Sequence, residues 1–358
     1  MGPFGKLASG IFVAVAANFL AFSPSTDWHE EHFTDEPFEW PESLQYSEVK
    51  SAASDGLILH TIVAGPPPAD SKGVILFAHG FPETAASWKD YILYYAEQGY
   101  HVRAPDLRNV NNSIAKSTDG SMDIFADDLL GVLQSTGQSK AIIVGHDWGA
   151  GVSWSFALKY PQHTTAHVTL AVPHLELYRS YNTYRLPYAL THVWYFMFFG
   201  LTGPVARAKI VQNDAAWFIG FIQGTSDPKT FAKADIARLR KMYARTMSSS
   251  TSATVTTWYG AGCSWLLKGL LPASLQAPAL CSSMWNDGNT PSKVPTLQLF
   301  GSRDYYINPG MYGHSMNKEY IAHPYKRTVI YDASHWLNHE KKHEIMHEMD
   351  DFIAGLPQ

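Results

Sequence analysis

The stretch AIIVGHDWGA, residues 141–150, decides how this 358-residue chain folds. Its apolar first half is typical of a short buried strand, and a helical pattern runs onward from Ala150. Between the two, Gly145 and Gly149 flank Asp147 in a small-x-acid-x-small pattern, which predicts a sharp strand-to-helix turn. Small residues are needed there because larger side chains would collide in so tight a turn. We expect Asp147 to project at the mouth of a sheet as a nucleophile; the alternative is an ordinary glycine-flanked turn with a solvated acid.

Short apolar runs and helical patterns alternate outward from this stretch in both directions. Such alternation predicts βαβ units, and it places the chain in the α/β class with a mostly parallel, doubly wound sheet. The runs lie at residues 57–63, 74–79, 100–104, 141–145, 168–172, 296–300 and 328–331, and the clearest helical patterns at 88–98, 122–133 and 150–160.

The alternation stops between residues 174 and 285, where the sequence is rich in aromatic residues and mostly helical in pattern. We interpret this stretch as a helical cap inserted between two strands, over the carboxyl edge of the sheet. The predicted domains are therefore a leader or anchor at 1–25, a first part of the core at 26–173, the cap at 174–285, and a second part of the core at 286–358.

Two further polar residues follow predicted strands at their carboxyl ends, where parallel sheets build their sites. Asp304 comes just after the run at 296–300, and His335 just after the run at 328–331. The order nucleophile, acid, histidine is the order in which a catalytic triad of this kind appears along a chain. We expect Asp304 to orient His335 and His335 to act as a base.

The segment HGFPE, residues 79–83, follows the strand predicted at 74–79. The backbone N–H of Phe81 and that of Trp148, the residue after Asp147, would together form an oxyanion hole. A plain Gly-Pro turn is the alternative for HGFPE.

Composition narrows the function classes. The chain has 27 Lys+Arg against 32 Asp+Glu and no basic run, so it lacks the electrostatic footprint of a nucleic-acid-binding protein. Its 11 Trp, 19 Tyr and 18 Phe predict an apolar pocket. With only Cys263 and Cys281, a disulfide framework and a multi-cysteine zinc site are excluded. One bridge between the two cysteines and a pair of buried thiols both remain open.

The N-terminal segment differs from the rest of the chain. Lys6 is the only charged residue before Asp27, and residues 7–22 are almost continuously apolar. This run predicts a signal peptide or a membrane anchor, with the bulk of the chain secreted or in the lumen of the endoplasmic reticulum rather than in the cytoplasm. A buried N-terminal helix is the alternative.

The motifs HGFPE at 79–83 and GHDWGA at 145–150, the later Asp304, and SHW at 334–336 occur in the order found in α/β-hydrolase epoxide hydrolases. The chain resembles that family from about Tyr46 to its C-terminus. The resemblance implies an α/β-hydrolase fold and a detoxifying hydrolase whose substrates are a small apolar epoxide and water. It implies no cofactor and no metal. Haloalkane dehalogenases share much of the same pattern.

Two cap tyrosines separate these two activities, because the epoxide hydrolases use them to protonate the departing alkoxide. Tyr195 matches the first in YFMFFG except that Gly200 replaces the usual Gln, and Tyr259 matches the second without the usual Asn and Arg neighbours. We expect Tyr195 and Tyr259 to be the acids, with Tyr243 in reserve. Trp148, Tyr195, Tyr259 and Trp336 are the candidate substrate-binding residues.

Three alternatives remain beside the epoxide hydrolase. They are a haloalkane dehalogenase with the same Asp147, a non-catalytic ligand-binding hydrolase fold, and a zinc protease suggested by two overlapping H-E-x-x-H matches at 339–347. The zinc protease is a weak interpretation because Lys341, Lys342 and Glu344 predict a solvent-exposed helix. The sequence spacing also indicates no third metal ligand.

Overall fold

The fold is described from a computed structural model, which covers residues 30–36, 39–117, 119–185, 192–201, 203–213, 215–248, 258–259 and 290–357. The apolar run at 7–22 and both cysteines lie outside these residues, so the signal or anchor and the Cys263–Cys281 bridge stay predictions. In the described part of the chain, no helix is both long and apolar enough to cross a membrane.

The described residues contain an eight-stranded sheet with the strand order β1-β2-β4-β3-β5-β6-β7-β8. The pairs β1–β2 and β2–β4 are antiparallel, and all other neighbouring pairs are parallel. The strands are β1 (Gln45–Lys50), β2 (Ile58–Ala64), β3 (Val74–Ala78), β4 (His101–Pro105), β5 (Ala141–His146), β6 (Thr164–Leu170), β7 (Thr296–Gly301) and β8 (Lys326–Tyr331). This confirms the predicted mostly parallel, doubly wound sheet.

Helices pack on both faces of the sheet and also form the inserted region. The described helices are α1 (Lys89–Glu97), α2 (Met122–Gln134), α3 (Trp148–Lys159), α4 (Leu175–Tyr184), α5 (Trp194–Leu201), α6 (Gly203–Val211), α7 (Ala216–Thr225), α8 (Lys233–Ser248), α9 (Leu337–Glu340) and α10 (Lys342–Ala354). Helices α4 to α8 lie between β6 and β7, within the predicted cap.

Helices cover both faces of the central strands. Every residue of β3 and of β5 is buried, as expected for parallel strands with helices on either side. One hydrophobic cluster joins the α2–α3 face of the sheet to the cap helices, and a second lies beneath α1 and α10.

Two strands depart from the sequence prediction, each for a different physical reason. β1, with the sequence QYSEVK, was not predicted, because it is an edge strand whose residues are mostly exposed. β6 begins at Thr164, not at residue 168, and its polar His167 is buried against the Ser153 hydroxyl at 2.8 Å. A hydrogen-bonded partner on α3 makes this burial tolerable, and no local pattern reveals that partner.

Candidate active site

Asp147 lies in the turn between β5 and α3. Its φ of 51° and ψ of −118° are strained for a residue with a side chain, at a cost of about 1–3 kcal/mol. The flanking glycines are required by close backbone contacts. A Cβ on Gly145 would lie 2.2 Å from the carbonyl oxygen of Gly149, and a Cβ on Gly149 would lie 2.0 Å from that of Ala78. The turn therefore has the geometry that the small-x-acid-x-small pattern predicts.

The carboxylate of Asp147 is held by two groups from different loops. The backbone N–H of Phe81 donates to Oδ1 at 2.9 Å, and Nε2 of His335 lies 3.2 Å from Oδ2. Asp147 is also the N-cap residue of α3, where the helix dipole favours a negative charge. The contacts with Phe81 and His335 thus fix the orientation of its carboxylate.

His335 bridges Asp147 and Asp304. Its Nδ1 lies 2.8 Å from Oδ2 of Asp304, and Oδ1 of Asp304 accepts the backbone N–H groups of Tyr306 and Ile307 at 2.8 and 2.9 Å. These bonds fix Asp304 so that it orients the imidazole. The structure thus brings together the three residues predicted as nucleophile, acid and base.

The electrostatics of His335 follow from these contacts. Burial alone would lower the pKa of His335, but the carboxylates of Asp304 and Asp147 raise it to about 10. The imidazole is therefore protonated at neutral pH.

The two cap tyrosines lie in the same cavity as Asp147. Their rings are 5.6 Å apart in an edge-to-face arrangement, and both side chains line the space above the carboxylate. Burial, with a smaller contribution from the charge of Asp147, raises the pKa of Tyr195 and that of Tyr259 well above the ordinary value. Both hydroxyls therefore keep their protons at neutral pH. Tyr243, the reserve, instead donates to the carbonyl oxygen of Glu83 at 3.5 Å.

Two narrow cavities of about 40 Å³ each share Asp147 and Tyr195 in their walls. Trp336 lines the first cavity and Trp148 lines the second, so each tryptophan that was predicted to bind substrate borders one of the two cavities. The other walls are largely aromatic or aliphatic, for example Phe199, Phe221 and Ile222 in the first, and Phe196, Leu175 and Ile307 in the second. The site therefore suits an apolar molecule with a polar reacting centre at Asp147. Trp148 is the first residue of α3 and follows Asp147 directly. The role of its backbone N–H in an oxyanion hole stays a prediction.

Glu83 is a buried acid in the oxyanion loop, residues 79–83, and the sequence predicted no role for it. Oε2 of Glu83 lies 2.8 Å from Nδ1 of His146 and accepts the Gly80 N–H at 3.2 Å, while Oε1 lies 2.7 Å from Nε2 of His339. Asn338 also donates to Oε1, at 3.2 Å. Burial alone would raise the pKa of Glu83, but the two imidazoles hold it well below the ordinary value. Glu83 is thus a charged residue at the centre of a hydrogen-bonded cluster.

This cluster reaches the predicted base through the backbone. Nε2 of His146 lies 2.9 Å from the carbonyl oxygen of His335, so Glu83, His146 and His335 are linked in series. Both Glu83 and His146 stand inside the motifs HGFPE and GHDWGA, which is the only sequence signal that pointed to them.

Tyr306 is a second residue that the sequence analysis missed. Its ring lies 4.9 Å from that of His335 and 5.5 Å from that of Tyr195, between the core and cap parts of the site. Its position two residues after Asp304 is the signal that could have found it.

The first of the two H-E-x-x-H matches is split between two helices, whereas the second, His343 to His347, lies wholly on α10 with both histidines exposed. α9 ends at Glu340 and α10 begins at Lys342, so His339 and His343 do not lie on one continuous helix. His339 is bonded to Glu83 and Glu340 to Ser334. Among the residues that the structure describes, no group of three or more His, Cys, Asp or Glu is arranged to hold a metal ion.

Comparison with known proteins identifies the fold family. Residues 73–342 match the family described as alpha/beta hydrolase fold. The AB hydrolase superfamily protein YfhM of Bacillus subtilis is 27% identical over 80% of this chain and 91% of its own length. Epoxide hydrolase A of Mycobacterium tuberculosis is 27% identical over 85% of this chain and 96% of its own length.

A solved structure extends the likeness to three dimensions. Epoxide hydrolase A from Mycobacterium thermoresistibile is 26% identical and has a TM-score of 0.62, over 88% of this chain and 99% of its own. Together with the family match, this identifies the class of the protein. The chain belongs to the α/β-hydrolase fold family and is similar to its epoxide hydrolases.

Proposed function

We propose that this hydrolase opens a small apolar epoxide to a vicinal diol through a covalent ester on Asp147. The observation that carries the proposal is the arrangement of the Asp147 carboxylate. One oxygen accepts the Phe81 N–H at 2.9 Å and the other faces His335 at 3.2 Å, and Tyr195 and Tyr259 line the same cavity. A carboxylate nucleophile, a base oriented by a second acid, and two proton donors are the groups that this reaction needs.

In the first step, the Asp147 carboxylate attacks an epoxide carbon. A carbon–oxygen bond of the epoxide breaks, and its electron pair stays on the oxygen as a developing alkoxide. Tyr195 and Tyr259 hydrogen-bond this oxygen and supply its proton. Transfer is favourable because an alkoxide is a much stronger base than a phenolate, even a buried one.

Formation of the ester changes the protonation of His335. The charge of Asp147 is one of the two that raise the pKa of His335 to about 10, and it disappears when the carboxylate becomes a neutral ester. The pKa of His335 then falls, and the imidazole gives its proton to the alkoxide by way of the tyrosines. His335 thereby becomes a base only after the nucleophile has reacted.

In the second step, neutral His335, oriented by Asp304, takes a proton from water. The water oxygen attacks the ester carbonyl, and the N–H groups of Phe81 and Trp148 stabilise the oxyanion. The diol leaves, and Asp147 returns as a carboxylate beside a protonated His335. Neither a cofactor nor a metal takes part in this scheme.

The test is mass spectrometry of a His335→Gln variant incubated with a small aryl epoxide. We expect the protein to gain the whole mass of the epoxide at Asp147, because the ester forms but is not hydrolysed. Asp147→Asn is the matched control and should gain nothing. A complementary single turnover of the wild type in isotopically labelled water should place the label in Asp147 and not in the diol.

The alternatives give different results in the same experiment. If only a bromoalkane labels Asp147, with loss of bromide, the protein is a dehalogenase. If wild type makes no diol and neither reagent labels the variant, while apolar ligands still bind, the non-catalytic reading is correct and the proposal fails.

We also propose, from the apolar run at 7–22 alone, that the protein enters the secretory pathway and acts there in detoxification. N-terminal sequencing and fractionation of cells producing the full chain test this. An uncleaved protein in the cytosolic fraction would contradict it.

A further inference from the structure

A short segment of the cap, residues 225–230, comprises the last residue of α7 and the start of the loop that leads to α8, and it contacts both of the loops that carry Asp304 and His335. We call it the cap anchor. The wall residues Phe221 and Ile222 stand on α7, directly before it.

The loop of Asp304 is bound to the cap anchor on both sides of the acid. Arg303 makes a bidentate pair with Asp227, at 2.6 and 2.7 Å. The Tyr306 hydroxyl lies 3.2 Å from the Thr225 hydroxyl. Asp304 therefore stands between two residues that are tied to the cap.

The loop of His335 is bound to the same segment. The indole N–H of Trp336 donates to the Thr225 hydroxyl at 3.1 Å. Arg303, besides its bonds to Asp227, donates through Nε to Oδ1 of Asp332 at 2.7 Å. The residues around His335 and the residues around Asp304 thus meet at one part of the cap.

Glu340 joins the loop of His335 to the cap anchor directly. Its Oε2 accepts the backbone N–H of Ser334 at 2.8 Å, and its Oε1 accepts the Ser334 hydroxyl at 2.6 Å. Oε1 also accepts the backbone N–H of Asp227 at 3.0 Å and the hydroxyl of Thr230 at 3.3 Å. One carboxylate thus joins the residue before His335 to two residues of the cap anchor.

We propose that Glu340 is a positioning residue that, assisted by Arg303, fixes the position of His335 relative to the cap. The inference rests on the proposed function, because it assigns Glu340 to the second of the two chemical steps. Glu340 touches the residue before His335 and is bonded to neither Asp147 nor the cap tyrosines in any of the contacts above. Attack by Asp147 needs the carboxylate and the tyrosines, and His335 gives up its proton only once the ester has formed. Hydrolysis, by contrast, needs Nε2 of His335 placed against a water molecule.

The test compares the two steps in a Glu340→Gln variant with an aryl epoxide. We expect ester formation to stay within about threefold of wild type and ester hydrolysis to slow by roughly 10- to 100-fold, as small misplacements of a reacting group do. The ester on Asp147 should then accumulate during turnover, and kcat should fall with little loss in kcat/KM. Arg303→Met should have the same signature with a smaller effect, partly restored in Arg303→Lys.

Glu348→Gln is the matched control. It removes the pair between Glu348 and Arg327, 2.7 Å long, from the same C-terminal region without touching either loop. We expect both of its steps to remain at wild-type rates. If Glu340→Gln does not fold, Thr230→Val replaces it in the same experiment, because it removes the bond from the Thr230 hydroxyl to Oε1 of Glu340.

The low-field proton resonance of His335 Nδ1–H gives a readout that needs no turnover. It should shift in Glu340→Gln and stay unchanged in Glu348→Gln. Equal loss in both steps, or an unchanged resonance and unchanged hydrolysis, would overturn the positioning role. Absence of the ester in His335→Gln would instead overturn the proposed function and this inference with it.

Discussion

On the core side of the candidate site, Asp147, His335 and Asp304 are joined by hydrogen bonds of 2.8 and 3.2 Å, and Glu83 anchors the loop behind them. On the cap side, Tyr195 and Tyr259 are held among aromatic rings, with neighbours such as Phe196 at 5.0 Å from each. Hydrogen bonds fix atoms in direction, whereas ring packing fixes shape and excludes water. We therefore expect core variants to lose chemistry and cap variants to change rate and substrate range together.

The largest effect should come from Asp147→Asn. On the proposed mechanism the variant keeps the shape of the site but lacks the nucleophile, so diol formation should fall by at least about 10³-fold. Steady-state assay of the diol measures this, and retention of fluorescence quenching by an apolar ligand is the control for folding. Activity within tenfold of wild type would show that the core side does not supply the nucleophile.

The next effect concerns stability and its dependence on pH. The pKa of His335 is raised from an ordinary value of 6.5 to about 10. Its contribution to stability is therefore fully present below pH 6.5 and is lost as the pH rises through about 10, by roughly 2–5 kcal/mol.

Denaturant unfolding of wild type and His335→Gln between pH 6 and pH 10.5 tests this statement. We expect the wild-type free energy of unfolding to fall across that range and the variant's to fall much less. Parallel curves would mean that the two carboxylates do not hold a proton on His335.

A smaller effect is expected from the cap. Tyr195→Phe and Tyr259→Phe each leave one donor for the alkoxide, so each should slow ester formation by roughly 10- to 100-fold, and the double variant by more. Ester hydrolysis should change little in either single variant, which separates them from the core variants. Stopped-flow measurement of ester formation checks this, with Tyr243→Phe as the matched control because that hydroxyl reaches the backbone of Glu83 instead.

The smallest effect is expected from Glu83→Gln, which removes a charge without touching the reacting atoms. Its amide cannot accept all of the bonds from Gly80, His146 and His339, so we expect a loss of about 1–3 kcal/mol in the free energy of unfolding and a modest loss in kcat. Thermal unfolding and steady-state kinetics measure the two. An unchanged free energy of unfolding would show that the hydrogen bonds of Glu83 with His146 and His339 do not stabilise the core side of the site.

Much of the architecture could be predicted because its signals are local. A run such as AIIVG indicates a strand from five neighbouring residues, and the glycines around Asp147 report a backbone clash within the same turn. The strands whose prediction failed, β1 and the start of β6, are those where exposure or a distant hydrogen-bond partner outweighs the local pattern.

By itself, then, the sequence determined the strand and helix alternation, the turn at Asp147, and the chain order of the three candidate catalytic residues. Only the tertiary structure decided which polar groups meet: His335 and Asp147 are 188 residues apart, Glu83 and His339 are 256 apart, and Glu340 joins the cap anchor across 110 or more. The physical reason is the range of the interactions. Backbone preference and apolar periodicity act between near neighbours, whereas a buried hydrogen bond depends on where folding places two distant side chains.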